Sequence, residues 1–258
     1  MLLQSLLRPV LTPIMRGIFD PAQSVSAAWT PLALWPDGIA TPGMWISPRD
    51  LTSEWQDYTG TTPVSVPGTV ADSANPVGLA LDIRAGATVL TDPGNHMLQS
   101  TSAARPLMSA YDGQTLGPGD TYSSTGHPIY QKYDGVDDGM ATAAFTAGTL
   151  IDGMDCMIAV RRDSGAACVA GIYNGIADAT KFFGMAESAS GSGCVGSGAG
   201  TPTVWVDGVQ LTGGTAVTRG TLHTALTVGD WHILEFRGLD LSTWTAAGFG
   251  LYTSYVFP

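Results

Sequence analysis

Short apolar runs separated by turn residues dominate the chain after residue 130. Residues 156–160, 168–173 and 231–236 are rich in β-branched and aromatic side chains, which favour strands. Within residues 203–211, Asp207 and Gly208 stand between two β-prone runs, as in a two-residue hairpin. Because no helical pattern of about ten residues separates these runs, the sequence predicts an antiparallel sandwich rather than a βαβ fold.

Residues 49–135 contain a dense series of turn signals with only short runs between them. Most of these signals combine Gly or Pro with Asp or Asn, residues that supply positive φ, a fixed φ or local side-chain hydrogen bonds. This spacing is typical of many short strands joined by tight turns. The signals are Asp57 to Gly60, Asn75-Pro76, Asp92-Pro93-Gly94, Asp112-Gly113, Gly117-Pro118-Gly119 and Asp134-Gly135.

The N-terminal segment repeats an apolar pair every four residues. From residue 6 the tetrads are LLRP, VLTP, IMRG and IFDP, each ending in Pro or Gly. An α-helix cannot accept Pro at successive turns without losing backbone hydrogen bonds, so a simple amphipathic helix is disfavoured. We predict that residues 1–25 form an irregular arm whose apolar side chains need a partner. They are Leu2, Leu3, Leu6, Leu7, Val10, Leu11, Ile14, Met15, Ile18 and Phe19.

The arm can pack against its own domain, against sister subunits or against a larger assembly. A targeting role is a further alternative. A signal peptide is disfavoured because Arg8, Pro9 and Pro13 interrupt the apolar run. We predict tethering or oligomerisation, with a homotrimer favoured. Residues 26–48 are rich in Pro and Trp without a lasting period, which indicates an extended linker. Residues 49–258 would then form the folded domain.

The composition indicates a folded, turn-rich β protein. Hydrophobic residues make up 44% of the 258 residues and charged residues 13%. Disordered chains have few hydrophobic and many charged residues, so most of this chain is expected to fold. Lys occurs twice and Glu three times, and these residues normally cover the solvent face of helices, so a helical bundle is disfavoured. The net charge of −11 repels phosphate backbones, so we predict no nucleic-acid partner. The absence of a run of about 18 apolar residues predicts no membrane span.

No catalytic constellation stands out, and we predict that the protein is not an enzyme. A retaining glycosidase needs two neighbouring carboxyl groups, but Glu54, Glu187 and Glu235 are far apart in sequence. His232 lies in a predicted strand and is expected to be structural. Residues 191–196 match G-x-G-x-x-G, but a Gly/Ser-rich stretch follows, so we interpret them as a flexible loop without a nucleotide.

The three cysteines are predicted to be small apolar residues in or near the core. An odd number cannot pair completely within one chain. Their separations in sequence also fit no compact zinc motif. They are Cys156, Cys168 and Cys194.

A series of motifs over residues 45–258 resembles a known family. In the order DLTSEWQDYTGTTPV, NPVGL, LD, NH, AARP, YQKYDGVDD and LDLSTW, they resemble the concanavalin A-like (laminin-G-like) jelly-roll domains of tailed-phage virion proteins. The N-terminal tetrads are similar to short arms at the start of some phage tail and head-fibre proteins. The motifs occupy residues 50–64, 75–79, 81–82, 95–96, 103–106, 130–138 and 239–244.

This resemblance implies an all-β, two-sheet antiparallel jelly-roll sandwich and a structural or adhesive role in a virion, and supplies no catalytic set. The family usually has a final strand after the LDLS-type segment. Here that strand is missing, is formed by residues 252–257, or comes from a partner. Another departure is that Gly139 and Met140 follow the DGVDD turn, where the family usually has a large residue.

The DGVDD segment is predicted to be a tight turn at a strand end, because Gly135 permits positive φ and the Asp side chains can accept nearby backbone N–H groups. The alternative is a calcium site built from Asp134, Asp137 and Asp138, since carboxylate oxygens are calcium ligands and laminin-G-like domains often bind calcium. No other cofactor is predicted.

Together these observations predict a virion protein of the tail, fibre or head that attaches to other virion proteins through its arm and displays a lectin-like domain. Host surface polysaccharide is the expected ligand if the domain is an adhesin. The alternatives are a purely architectural role, a soluble carbohydrate-binding module and, least favoured, a glycan-cleaving enzyme.

Overall fold

The structure is a computed structural model of the chain. It describes residues 34–35, 37–40, 43–48, 50–65, 74–110, 129–134, 137–143, 151–162, 171–174, 180–211, 217–244 and 249–252. The chain divides into two units, residues 1–41 and 42–258. In the first unit the described part is a 3-10 helix, Gly38–Ala40, with its flanking residues. The predicted arm lies outside the described residues.

The described residues of the second unit form antiparallel sheets of seven, four and two strands. Their orders are β1-β2-β3-β6-β13-β8-β9, β11-β10-β12-β7 and β4-β5. The strands are β1 (Glu54–Trp55), β2 (Leu79–Ala80), β3 (Met97–Leu98), β4 (Leu107–Ala110), β5 (Ile129–Lys132), β6 (Gly139–Thr142), β7 (Asp152–Arg161), β8 (Gly171–Asn174), β9 (Phe182–Phe183), β10 (Thr203–Val206), β11 (Val209–Gln210), β12 (Trp231–Asp240) and β13 (Phe249–Tyr252). The all-β prediction is confirmed.

The predicted hairpin is present between β10 and β11. Asp207 and Gly208 have φ values of 52° and 75°, which suit a two-residue turn with two left-handed positions. Asp tolerates this region better than most residues with a Cβ atom, and Gly pays no steric penalty there. The two β-prone runs are therefore joined as their sequence predicts.

The last described strand, β13, lies inside the seven-stranded sheet. Gly250 is opposite both Ala141 of β6 and Tyr173 of β8. The chain thus forms a strand that begins at Phe249, before the start at residue 252 that was one of the three alternatives. Residues 253–258 lie outside the described part.

The largest apolar cluster is lined by both large sheets. Phe183 of β9 packs edge-to-face on Phe236 of β12, with ring centroids 5.1 Å apart. Trp244, almost fully buried, lies 5.8 Å from the Phe183 ring. β7 contributes every second residue from Met154 to Val160 to this cluster, and β12 contributes Leu234, Phe236 and, after a register shift, Leu239.

The described part of the chain contains one α-helix, α1 (Arg219–Ala225). Thr218 is its N-cap, and the Thr218 hydroxyl accepts the backbone N–H of Thr221 at 3.0 Å. Leu222 and Leu226 pack into the core shared by the two large sheets. No helix in the described residues is long and apolar enough to cross a membrane.

Candidate functional site

Residues 50–64 and 75–82, two of the segments that carry sequence motifs, lie side by side and are joined by backbone hydrogen bonds. Gly78 donates its N–H to the carbonyl of Trp55 at 2.8 Å, and Leu81 donates to Ser53 at 2.9 Å. A Cβ atom at Gly78 would lie 2.7–2.8 Å from backbone atoms of residues 56–58, so this close approach requires glycine. The first two motifs therefore form one packed unit.

Asp82 is the polar centre of this unit. Its buried carboxylate accepts the backbone N–H groups of Trp45 at 3.0 Å and Asn95 at 2.9 Å. It also pairs with the buried guanidinium of Arg84 at 2.7 Å. The backbone N–H of Asp82 donates to Nδ1 of His96, so the ring proton lies on Nε2 and donates to a backbone carbonyl. These charges are compensated within the domain.

Arg105 of the AARP motif binds three carbonyl oxygens. Its guanidinium donates to Gln99 at 3.0 Å, to Gln56 at 3.1 Å and to Ser100 at 3.1 Å. The Gln99 amide in turn donates to the carbonyl of Gly139 at 2.8 Å. The polar motif residues described in these paragraphs thus hold loops together, which explains their types without a ligand.

A buried carboxyl group links the first motif to the β4–β5 ribbon. Glu54 is 1% exposed, and both of its oxygens accept from the side-chain amide of Gln131, at 3.0 and 3.1 Å. Tyr133 donates its hydroxyl to the other end of the Gln131 amide at 2.9 Å. Burial raises the pKa of Glu54 to about 8. Burial, reinforced by the charges of Glu54 and Asp138, also raises the pKa of Tyr133.

Three carboxylates of the DGVDD segment lie close together. One oxygen from each of Asp134, Asp137 and Asp138 lies within 4.8 Å of the others. Asp138 is buried and accepts the backbone N–H of Asp134 at 2.7 Å, and Asp134 accepts that of Asp137 at 3.3 Å. Burial raises the pKa of Asp138 to about 6. The turn interpretation accounts for these bonds, while three carboxylates supply only part of the six to eight oxygens that calcium takes. The calcium site stays a prediction.

His232 lies in a chain of side-chain hydrogen bonds at the end of the four-stranded sheet. Its Nδ1 is 2.7 Å from Asp207 Oδ2, and its Nε2 is 3.0 Å from Thr227 Oγ1. The Thr227 hydroxyl is also 2.8 Å from Asp230 Oδ2. The hydrogen bond from His232 holds the pKa of Asp207 below its usual value. The contacts with His232 and Asp230 tie the Thr227 side chain into the turn before β12.

The three glutamates occupy separate environments. Glu54 binds Gln131, Glu187 pairs with Arg219 at 3.4 Å, and Glu235 pairs with Arg237 at 2.6 Å. Each of the three carboxylates therefore has a different side-chain partner, and none of these contacts joins two carboxyl groups as a retaining glycosidase needs. The glycan-cleaving alternative therefore gains no support from these residues.

The segment that matches G-x-G-x-x-G is pinned to its neighbours rather than flexible as predicted. Cys194 donates its N–H to Val217, and Gly196 donates to Phe182 at 2.8 Å. The stretch after it forms a three-residue 3-10 helix, Ser197–Ala199, which is too short for a nucleotide-binding helix.

Two of the three cysteines lie in the described residues. Burial raises the pKa of Cys156 and of Cys194 to about 12, so neither is a reactive thiolate. Both pack in or against the main apolar cluster, as predicted. Cys168 lies outside the described residues.

Sequence reasoning missed the buried Glu54, because Glu is normally exposed, and it missed the partners of His232. Asp207 was found as a turn residue, and its second role as a histidine partner has no local sequence signal. Comparison of the sequence with models of known protein families gave no match, and comparison with curated proteins and with solved structures gave none either.

Proposed function

We propose that the chain is a non-enzymatic structural protein of a tailed-phage virion, in which residues 1–25 attach to other virion proteins and a two-sheet jelly roll is displayed outward. The observation that supports this most is the mutual packing of the motif segments. Four motif segments that are far apart in sequence are joined by hydrogen bonds of Gly78, Asp82, Arg105 and Gln131. These segments are residues 50–64, 75–82, 95–106 and 130–139. These contacts make the motif segments one packed unit, as expected if they belong to one domain family.

The jelly-roll part of the proposal is supported by the two large antiparallel sheets, which share one apolar cluster. The attachment part is supported by the tetrad pattern, because ten apolar side chains on a Pro-interrupted arm favour a partner surface. Virion appendages are commonly trimers, so we expect a homotrimer held by the arm.

The proposal is tested by the solution mass of the full chain, measured by light scattering after size exclusion. We expect a trimer for the native sequence and a monomer when Leu6 and Leu7 are both replaced by Ser. The matched control replaces the neighbouring Gln4 and Ser5 by Ala and should stay trimeric. A native chain that is monomeric at all concentrations contradicts assembly through the arm.

Electron microscopy provides a second test that is independent of oligomeric state. Gold-labelled antibody against residues 49–258 should decorate an appendage of purified particles from the source of the sequence. Absence of the chain from the particles, judged by mass spectrometry, would overturn the virion assignment.

A further inference from the structure

The outer face of the four-stranded sheet presents a fixed carboxylate between apolar side chains. Strand pairing places Trp205 of β10 and Met157 of β7 on either side of Glu235 in β12. Glu235 is 8% exposed, whereas Met157 is 69% exposed and Ile233, two residues earlier on β12, is 40% exposed. The Glu235 side chain is therefore much less exposed to solvent than those of Met157 and Ile233.

Arg237 fixes this carboxylate and leaves one oxygen available. Nε and Nη2 of Arg237 donate to the same atom, Glu235 Oε2, at 3.0 and 2.6 Å. Within the described part of the chain, Oε1 of Glu235 and Nη1 of Arg237 make no hydrogen bond. One acceptor and one donor thus stand next to each other, held by a charge-assisted pair.

Trp205 completes the arrangement. The Arg237 guanidinium lies 4.4 Å from the centroid of the Trp205 ring, and the indole N–H donates to the Thr203 hydroxyl at 3.0 Å. Both contacts hold the ring in place before a ligand arrives, which lowers the entropic cost of binding. The surface therefore combines an aromatic ring, two apolar side chains, one acceptor and one donor.

We propose that this face, centred on Glu235, Arg237 and Trp205, is a binding site for a neutral saccharide. Adjacent sugar hydroxyls can donate to Glu235 Oε1 and accept from Arg237 Nη1, while the apolar side of the ring packs on Trp205 or Met157. The Glu–Arg pair has no net charge, and the chain has a net charge of −11, so an acidic saccharide is disfavoured. This site rests on the proposed outward display of the domain and would add an adhesive role to it.

The probe is an array of neutral oligosaccharides of hexoses and N-acetylhexosamines, with matched uronate- and sulfate-bearing forms. We expect the full-length protein to bind neutral members. The tightest one is then titrated against protein labelled with 5-fluorotryptophan, and the resonance of Trp205 among the seven tryptophans is assigned from Trp205→Phe. We expect that resonance to shift on binding.

Glu235→Gln should weaken the binding by about tenfold or more, because the fixed carboxylate acceptor and its bond to Arg237 are lost. The matched control is Glu187→Gln, which breaks a second Arg–Glu pair in the described residues, Arg219–Glu187, and should leave the affinity unchanged. Thermal unfolding of both variants checks that each remains folded.

Three results would overturn this site: no binding to any neutral member, equal affinity of Glu235→Gln and the native protein, or preference for the acidic forms. They leave the virion assignment standing, since arm-dependent assembly is measured separately. A monomeric chain that binds a neutral saccharide through Glu235 would support this site and contradict assembly through the arm.

Discussion

The imidazole of His232 joins two turns of the four-stranded sheet, and its Nδ1 lies 2.7 Å from Asp207 Oδ2. Asp207 belongs to the β10–β11 turn, and its second oxygen accepts the backbone N–H of Ile233 at 2.8 Å. One carboxylate thus holds the hairpin against the start of β12. The neighbouring Thr227 bond extends the contact to the turn before that strand.

Asp207→Ala should lower the free energy of unfolding by roughly 1 kcal/mol, because the buried His232 and the Ile233 N–H lose an acceptor. Hydrogen exchange of the Ile233 amide should accelerate more than that of amides in β6. The control is Asp152→Ala, an exposed carboxylate that makes no hydrogen bond in the described residues. Equal exchange in both variants would contradict the role of Asp207.

Glu54→Gln should change how stability depends on pH. The pKa of Glu54 is raised from 4.5 to about 8, so the folded protein binds the proton more tightly than the unfolded chain. Native stability should therefore fall as pH rises from about 4.5 to about 8, at up to about 1.4 kcal/mol per pH unit from this group. The Gln variant should lose this slope and be more stable than the native protein at the upper end.

Urea unfolding at several pH values across this interval measures the effect. Glu187→Gln, at a partly exposed site, is the control and should keep the native slope. An unchanged slope in Glu54→Gln would show that the buried carboxyl is not the titrating group.

Asp82→Ala should be among the most destabilising single substitutions in the domain. It leaves the buried Arg84 guanidinium without its carboxylate and removes the acceptor for Trp45 and Asn95, with an expected cost of about 3–5 kcal/mol. Asp50→Ala, which removes an exposed cap of a 3-10 helix, should cost less than about 1 kcal/mol. Denaturant midpoints of the two variants measure the difference, and similar midpoints would count against the central role of Asp82.

Gly196→Ala and Gly191→Ala should behave differently although both glycines belong to the same short motif. A Cβ atom at Gly196 would collide with the carbonyl oxygen of Thr180 and lie 2.8 Å from the Phe182 ring, whereas at Gly191 it would meet nothing within 4 Å. We expect a clear drop in melting temperature for Gly196→Ala only. A flexible, unpacked loop would tolerate both changes.

The sequence predicted those parts of the fold that depend on local pattern. The Asp207-Gly208 hairpin was predicted correctly, because it depends only on two turn residues and the β-prone residues beside them. The full lengths of β7 and β12 were not predicted, because these strands contain Gly153 and Gly238 and glycine is unfavourable inside a strand. Gly238 lies within a bulge, where the pairing of β12 with β7 shifts register between Phe236 and Leu239. The two-residue strands β1 to β3 are too short to show a period.

The polar sites depend on contacts between distant segments and were therefore largely invisible in the sequence. The acidic cluster is an exception, because Asp134, Asp137 and Asp138 lie within five residues of one another in sequence. Glu54 and Gln131 are 77 residues apart, and no local pattern marks either as buried. The pairing of Trp205 with Glu235 likewise follows from strand order, which the sequence does not specify.

The position of β13 determines when the seven-stranded sheet is completed during synthesis. β6 and β8 leave the ribosome long before Phe249–Tyr252, yet they become neighbours only through β13. Until β13 is synthesised, the edges of β6 and β8 that pair with it have unpaired backbone N–H and C=O groups. Strands of other chains can pair with these exposed edges. The seven-stranded sheet is therefore completed late, when the short strand β13 pairs with both β6 and β8.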